Sequence, residues 1–212
     1  MIEIASFVFN PFQENTYLLY DETKECIIID PGCFTKKEQE ELSNKIGSLG
    51  LKPVKLINTH CHLDHIFGNK FVSEQYNISP EIHKEELPIL EASPSTGLAY
   101  GIRFEESPKP THFLEKGKSI AFGNSTIDIL FTPGHSPGEI CLYAKKENIL
   151  MAGDVLFLQS IGRTDLPGGD HETLLNSIRT KLFSLDDNTK VYSGHGPTTS
   201  IGFEKQNNPF LN

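Results

Sequence analysis

Thr59-His60-Cys61-His62-Leu63-Asp64-His65 is the stretch on which the reading of this chain turns. Its last six positions hold three imidazoles and one carboxylate, directly after a run, Val54 to Asn58, that reads as a strand. On an extended or looped backbone side chains alternate, so His60 and His62 point the same way and can chelate one cation while Cys61 points away and packs. Asp64 and His65 are then left for a second cation. With 8 histidines in 212 residues, chance would produce this H-x-H-x-D-H spacing on the order of once in a thousand such chains. The bland alternative, Asp64 as the N-cap of a helix starting near His65, leaves the three histidines unexplained.

Two cations need further ligands, and three later strand ends offer them. These are Thr132-Pro133-Gly134-His135-Ser136-Pro137-Gly138, Ala152-Gly153-Asp154 and Ser193-Gly194-His195-Gly196-Pro197. Flanking glycines let the backbone turn sharply and come close to an ion. A lone His or Asp in such a loop is more often a hydrogen-bonding turn residue. Beside the first motif, the ligand reading prevails.

Apolar runs bounded by turn residues predict strands over Ile2 to Phe9, Thr16 to Tyr20, Cys26 to Ile29, Ser119 to Phe122, Thr126 to Phe131, Ile140 to Tyr143 and Ile149 to Ala152, with another near Val191. Helices are predicted over Lys36 to Leu49, stopped by Gly50 and Pro53, and over Glu172 to Phe183. Ser93-Pro94-Ser95, Gly97, Gly101, Pro108 and Pro110 punctuate the middle of the chain, which reads as a long surface loop, Glu91 to Pro110. Strands and helices in this order imply an α/β sandwich, two mixed sheets face to face with helices outside, four layers in all. Residues 1–212 are expected to form one domain.

Composition narrows the function. Hydrophobic residues make up 37% and charged residues 22%, ordinary globular usage. The net charge of -9 and the lack of any Lys/Arg cluster argue against nucleic acid as a partner. No run is long enough to span a membrane and no basic start precedes an apolar core and cleavage site, so no membrane partner is expected and the location is expected to be cytoplasmic. Cys26, Cys33, Cys61 and Cys141 form no C-x-x-C pair and read as packed free thiols.

The motif with its distant His, Asp and His resembles the metallo-beta-lactamase fold superfamily, and all seven signature positions are filled. The resemblance implies that His60, His62 and His135 hold one metal, that Asp64, His65 and His195 hold another, and that Asp154 bridges them. Two ions are implied, zinc by preference, although imidazole and carboxylate donors equally suit iron or manganese. Asn10 to Asn15, Asp30-Pro31-Gly32 and the tail from Gly194 to Leu211 also look like the family. The loop from Ser160 to Asp170 is similar to the short glyoxalase II-like (hydroxyacylglutathione hydrolase-like) hydrolases. Asp30 is read as a buttress of the metal loop.

What this implies is a dinuclear hydrolase of small-molecule thioesters, S-lactoylglutathione or related acyl thioesters, with Asp64 orienting the nucleophile. The lactamases of the superfamily do not keep both His65 and Asp154, so penicillin hydrolysis is not expected. Glyoxalase II carries a C-terminal helical domain that grips glutathione, whereas 17 residues follow His195 here, so no such domain is expected. The loop Glu91 to Pro110, with Arg103 and Lys109, could replace it as a clamp. A persulfide dioxygenase holding one iron through His60, His135 and Asp154 is the rival enzyme, a lactonase the nearer variant, and a non-enzymatic metal-binding module the remotest. His83, His112 and His171 are read as surface or hydrogen-bonded histidines. Arg163, Asp165 and Asp170 either shape substrate access or pair among themselves.

Overall fold

Tyr17-Leu18-Leu19-Tyr20 and Cys26-Ile27-Ile28-Ile29 are apolar at every position. In the computed structural model, which describes residues 1–211, both faces of these strands are covered. Tyr17, Leu19, Ile27 and Ile29 pack inward against a second sheet. Leu18, Tyr20, Cys26 and Ile28 pack outward against helices. A fully buried Leu or Ile contributes about 1.5–3 kcal/mol. Such a strand is stable only between two layers, so these runs call for helix, sheet, sheet and helix in that order.

The first sheet is β1 (Glu3–Phe9), β2 (Glu14–Tyr20), β3 (Glu25–Ile29), β4 (Lys52–Ile57), β5 (Pro80–His83) and β6 (His112–Leu114), in that spatial order. It is antiparallel through β3 and parallel from β3 to β6. The second sheet takes β7 (Ser119–Phe122), β8 (Ser125–Phe131), β9 (Ile140–Ala144), β10 (Ile149–Gly153), β13 (Lys190–Ser193) and β14 (Thr199–Ser200), with β10 and β13 parallel. A small ribbon of β11 (Leu156–Phe157) and β12 (Ser160–Ile161) lies between. The expected four-layer αββα sandwich of two mixed sheets is therefore present, each half of the chain supplying one sheet.

Among the helices, α1 (Lys36–Leu49) and α3 (Asn69–Tyr76) cover the first sheet, with Leu42, Ile46 and Val72 in the outer core. Helix α1 starts in a capping box, Thr35 with Glu38, and stops at Gly50 in the left-handed region (φ 65°) as its sequence dictates. Helices α5 (His171–Ser177) and α6 (Ile201–Asn207) cover the second sheet through Leu174, Leu175 and Ile201. The predicted helix to Phe183 is present, but from Ile178 to Leu182 it runs as a wider π turn. None of the helices in the described residues is long and apolar enough to cross a membrane.

One expectation fails. Leu87–Ala99, which takes in the first part of the predicted surface loop Glu91 to Pro110, is a helix, α4. Pro94 sits inside it and removes one backbone donor, normally costly in a helix interior. The buried Leu90, which packs with Cys61, Ile66 and Ile82, anchors this helix over the first sheet. Gly97 lets the ring of Phe104 approach, since a Cβ there would meet its Cε1 at 3.0 Å. Proline and glycine here serve packing, not chain reversal.

The topology fixes one edge as special. Strands β8 and β10 are both antiparallel to β9, and β13 is parallel to β10, so β8, β10 and β13 end on the same side. The loops leaving β4, β8, β10 and β13 carry the seven residues singled out in the sequence.

Candidate metal centre

From β4 the chain passes through Thr59 into the short helix α2 (Leu63–Ile66). His62 occupies its N-cap position with extended backbone (φ -65°, ψ 153°) but makes no capping hydrogen bond, leaving its ring to face the other histidines. Asp64 lies within the first turn, so it is not the N-cap. Asp30, at the end of β3, accepts from the Thr59 amide (2.7 Å) and the Thr59 hydroxyl (2.6 Å), pinning the loop directly before His60. The buttress read from the sequence is in place.

The seven side chains converge. Nδ1 of His62 and Nε2 of His135 are 2.8 Å apart, and Nε2 of His135 is 3.3 Å from Nε2 of His60. In a second group, His195 Nε2 lies 3.1 Å and His65 Nε2 3.8 Å from Asp64 Oδ2. Asp154 stands between the groups, with Oδ2 3.6 Å from His135 Nε2 and 3.5 Å from His195 Nε2, and Oδ1 3.5 Å from His65 Nε2. Each of the two triads, His60/His62/His135 and Asp64/His65/His195, can offer its ligand atoms to one point.

Outer partners set the tautomers. His135 Nδ1 donates to the Arg163 carbonyl (2.7 Å) and His195 Nδ1 to the Phe12 carbonyl (3.1 Å), which turns each Nε2 lone pair toward the cluster. Burial, reinforced by neighbouring imidazoles, holds His60 well below the ordinary range and His62 down to about 3, so both are neutral, as ligation requires. His65 goes the other way. Burial disfavours its charge, but Asp154 and Asp64 outweigh that and raise it.

A metal fits this donor set on the structure's own terms. His65 Nε2 and Asp154 Oδ1 are buried and face each other at 3.5 Å without a formed hydrogen bond, an arrangement that a cation bound by both would satisfy. Two carboxylates, Asp64 and Asp154, beside five imidazoles make a donor set for a hard to borderline ion.

Three buried glutamates were not legible as site residues. Glu139 Oε1 accepts from the Asp154 amide (2.8 Å) and lies 3.6 Å from His60 Nδ1. Glu14 takes the Thr16 hydroxyl at 2.9 Å. Glu86 ties two of the loops together. The one signal available was an acid heading a wholly apolar run, as Glu139 heads Ile140–Ala144.

Above the cluster opens a cleft of about 770 Å³. Its walls come from α4 (Ile89, Ala92, Thr96), from Phe12, and from Phe157, Leu166 and Pro167. Arg163 is the one Arg or Lys among the described residues lining it, and it is paired with Asp165 at 2.7 and 2.6 Å. Arg103 and Lys109, weighed as a clamp, are exposed and do not line the cleft. Asp170 caps α5 instead of pairing with Arg163. His112 and His171 are exposed, and His83 stacks at 4.4 Å on Phe131. The four cysteines are free and buried, Cys61 among Ile66, Ile82 and Leu90.

Comparison with known proteins agrees with this geometry. The family model of the metallo-beta-lactamase superfamily matches residues 9–195. The chain is 38% identical to the hydroxyacylglutathione hydrolase GloC of Haemophilus influenzae, over 95% of this chain and 94% of that protein. It superposes on the crystal structure of the B3 metallo-beta-lactamase BLEG-1 with a TM-score of 0.90 and 41% identity, covering 99% and 100% of the two chains. With TTHA1623 in a di-iron-bound form the TM-score is 0.88 at 35% identity, covering 98% and 100%. The chain belongs to the metallo-beta-lactamase superfamily, a family of metal-dependent hydrolases.

Proposed function

We propose that the chain hydrolyses acyl thioesters at a centre of two metal ions, in the manner of glyoxalase II. The observation that carries this reading is Asp154 standing between two complete triads at the floor of an open cleft. His60, His62 and His135 would hold one ion, Asp64, His65 and His195 the other, with Asp154 shared. Such a pair supplies hydroxide at neutral pH and polarises a carbonyl. One iron held by His60, His135 and Asp154 would leave Asp64, His65 and His195 without a task, which disfavours the persulfide dioxygenase.

The chain's own groups supply the rest. Asp64, with side-chain exposure of 15%, faces the cleft and accepts a hydrogen bond from the attacking water, fixing its lone pair toward the scissile carbonyl. The apolar walls exclude bulk water around the acyl group. Among the described residues, the carboxylates lining the cleft are Asp64 and Asp154, both in the proposed ligand set, so neither is free to protonate a leaving group. A thiolate, whose parent pKa is about 8.5, leaves without that help. With Arg163 the one Arg or Lys among the described residues lining the cleft to meet the carboxylates of glutathione, recognition of that carrier is expected to be modest.

The test is turnover on protein of verified metal content, with S-lactoylglutathione, a non-glutathione thioester, a lactone, a beta-lactam and glutathione persulfide side by side. Two ions per chain with thioester hydrolysis fastest supports the proposal. One iron with oxygen uptake on the persulfide, or lactam turnover exceeding thioester turnover, replaces it.

A further inference from the structure

Glu86 has no exposed surface, yet it sits at the N-terminus of α4 without capping it. A carboxylate there would ordinarily accept from its own helix. This one turns away and accepts from three donors on two other segments. Oε2 takes the amide of Cys61 at 2.8 Å, and Oε1 takes the Ser136 hydroxyl at 2.5 Å and the Gly138 amide at 2.7 Å. Cys61 lies between His60 and His62, and Ser136 follows His135 directly. The bridge thus joins the two loops that carry one triad.

Gly138 shows how tightly the bridge is built. A Cβ at that position would meet the backbone nitrogen of Glu86 at 2.5 Å, so only glycine permits this approach. The same two loops bring ring nitrogens of His62 and His135 to 2.8 Å from each other. The loops leave different sheets, β4 in one and β8 in the other, and the sandwich alone does not set their separation to the accuracy ligation needs.

We propose that Glu86 is a positioning residue for the metal centre: its carboxylate cross-links the His60/His62 loop to the His135 loop and fixes the spacing of that triad. The inference rests on the two-ion assignment made above. A carboxylate is needed because all three partners donate. A glutamine of the same size has one accepting oxygen, and its amide nitrogen would face a donor, so one arm of the bridge must open.

The experiment compares wild type, Glu86→Gln, Ser136→Ala and the double variant, each prepared metal-free and titrated with zinc and with cobalt(II) against a competing chelator. Unfolding of the metal-free proteins is followed in parallel. Glu86→Gln is expected to weaken one of two ions at least tenfold and to alter the cobalt absorption of that site, while the other ion is held more nearly as in wild type. Ser136→Ala, which removes one donor, is expected to weaken the same ion about threefold, and the double variant to show less than the product of the two losses. If Glu86→Gln does not fold, Ser136→Ala decides alone. Wild-type affinity for both ions in the variants, even with a lowered melting temperature, makes Glu86 a fold staple only and overturns the inference. A wild-type chain that binds no pair of ions overturns the two-ion assignment itself, and this inference with it.

Discussion

Nε2 of His195 stands 3.1 Å from Oδ2 of Asp64, joining the end of β13 to the first turn of α2. His195 keeps 28% of its side chain exposed, whereas His60, in the other triad, has none exposed. His60→Ala and His195→Ala are each expected to lower hydrolysis by more than the roughly 100-fold that losing an outer partner of a ligand can cost. Each variant should retain fewer metal ions than wild type, and His195→Ala should leave the circular dichroism of the chain unchanged. Full turnover with two ions bound would remove that residue from the centre.

Gly194 precedes His195 at the point where β13 reaches Asp154. A Cβ there would overlap Asp154 Oδ1 and stand 2.8 Å from His65 Cε1. Gly194→Ala is expected to displace Asp154 and reduce turnover at least as much as loss of a ligand, while global stability falls by only about 1–3 kcal/mol. Metal titration and chemical denaturation of one preparation measure both effects. A fully active Gly194→Ala protein would show that the close approach is not required.

At the opposite end of the sandwich, Asp21 accepts from the Thr23 amide and hydroxyl, the Asn124 amide and the Ser125 hydroxyl, stapling the β2–β3 turn to the β7–β8 turn. Burial opposes its charge, but these donors outweigh it and bring its pKa down to about 2, from 3.8. The folded chain therefore stays ionised at Asp21 where the unfolded chain takes up a proton. Its stabilisation is complete above about pH 5, well above the unfolded value, and is lost as pH falls toward 2. On metal-free protein, Asp21→Asn should cost about 1.5–3 kcal/mol at pH 7, the range for hydrogen bonds to a charged group. Denaturation at pH 7 and pH 2.5 checks the sign. A deficit as large at pH 2.5 as at pH 7 would contradict it.

Specificity follows from the cleft. Thioesters of one acyl group on glutathione and on an uncharged thiol are expected to differ by less than about tenfold in kcat/KM, or 1.4 kcal/mol. Arg163→Ala should remove most of any preference for glutathione. Neutralising Arg103 and Lys109, which lie outside the cleft, should not. Discrimination far beyond tenfold that survives Arg163→Ala would point to a recognition surface elsewhere.

The strands were legible because burial on both faces leaves a mark no loop can carry: Ile27, Ile28 and Ile29 have no alternative to a sheet interior. The seven convergent residues were legible for a different reason. Chelation would restrict residue type and spacing together, so His60, His62, Asp64 and His65 stand out within one short segment as candidate ligands, and the structure brings them together with His135, Asp154 and His195. Helix α4 was hidden because Pro94 and Gly97 break helices in isolation, and only contact with Phe104 and the Cys61 cluster makes them compatible with one. Glu86 was hidden because a glutamate ahead of Leu87-Pro88 looks like an ordinary solvated helix start. Its partners at Cys61 and Ser136 become neighbours only after the two sheets have met.

That each triad draws on both sheets has a bearing on biosynthesis. A chain emerging amino end first presents His60, His62, Asp64 and His65 while His135, Asp154 and His195 have yet to be made. Until the second sheet docks, an ion caught by the first segment would be held by two of the three residues of its triad and would exchange with the surroundings. The proposed centre is thus completed only by the most distant contacts in the chain, which form slowly because long loops must close first. Tight metal retention on a refolding chain would therefore mark the final docking of the two halves, and a chelator pulse during refolding would time that event.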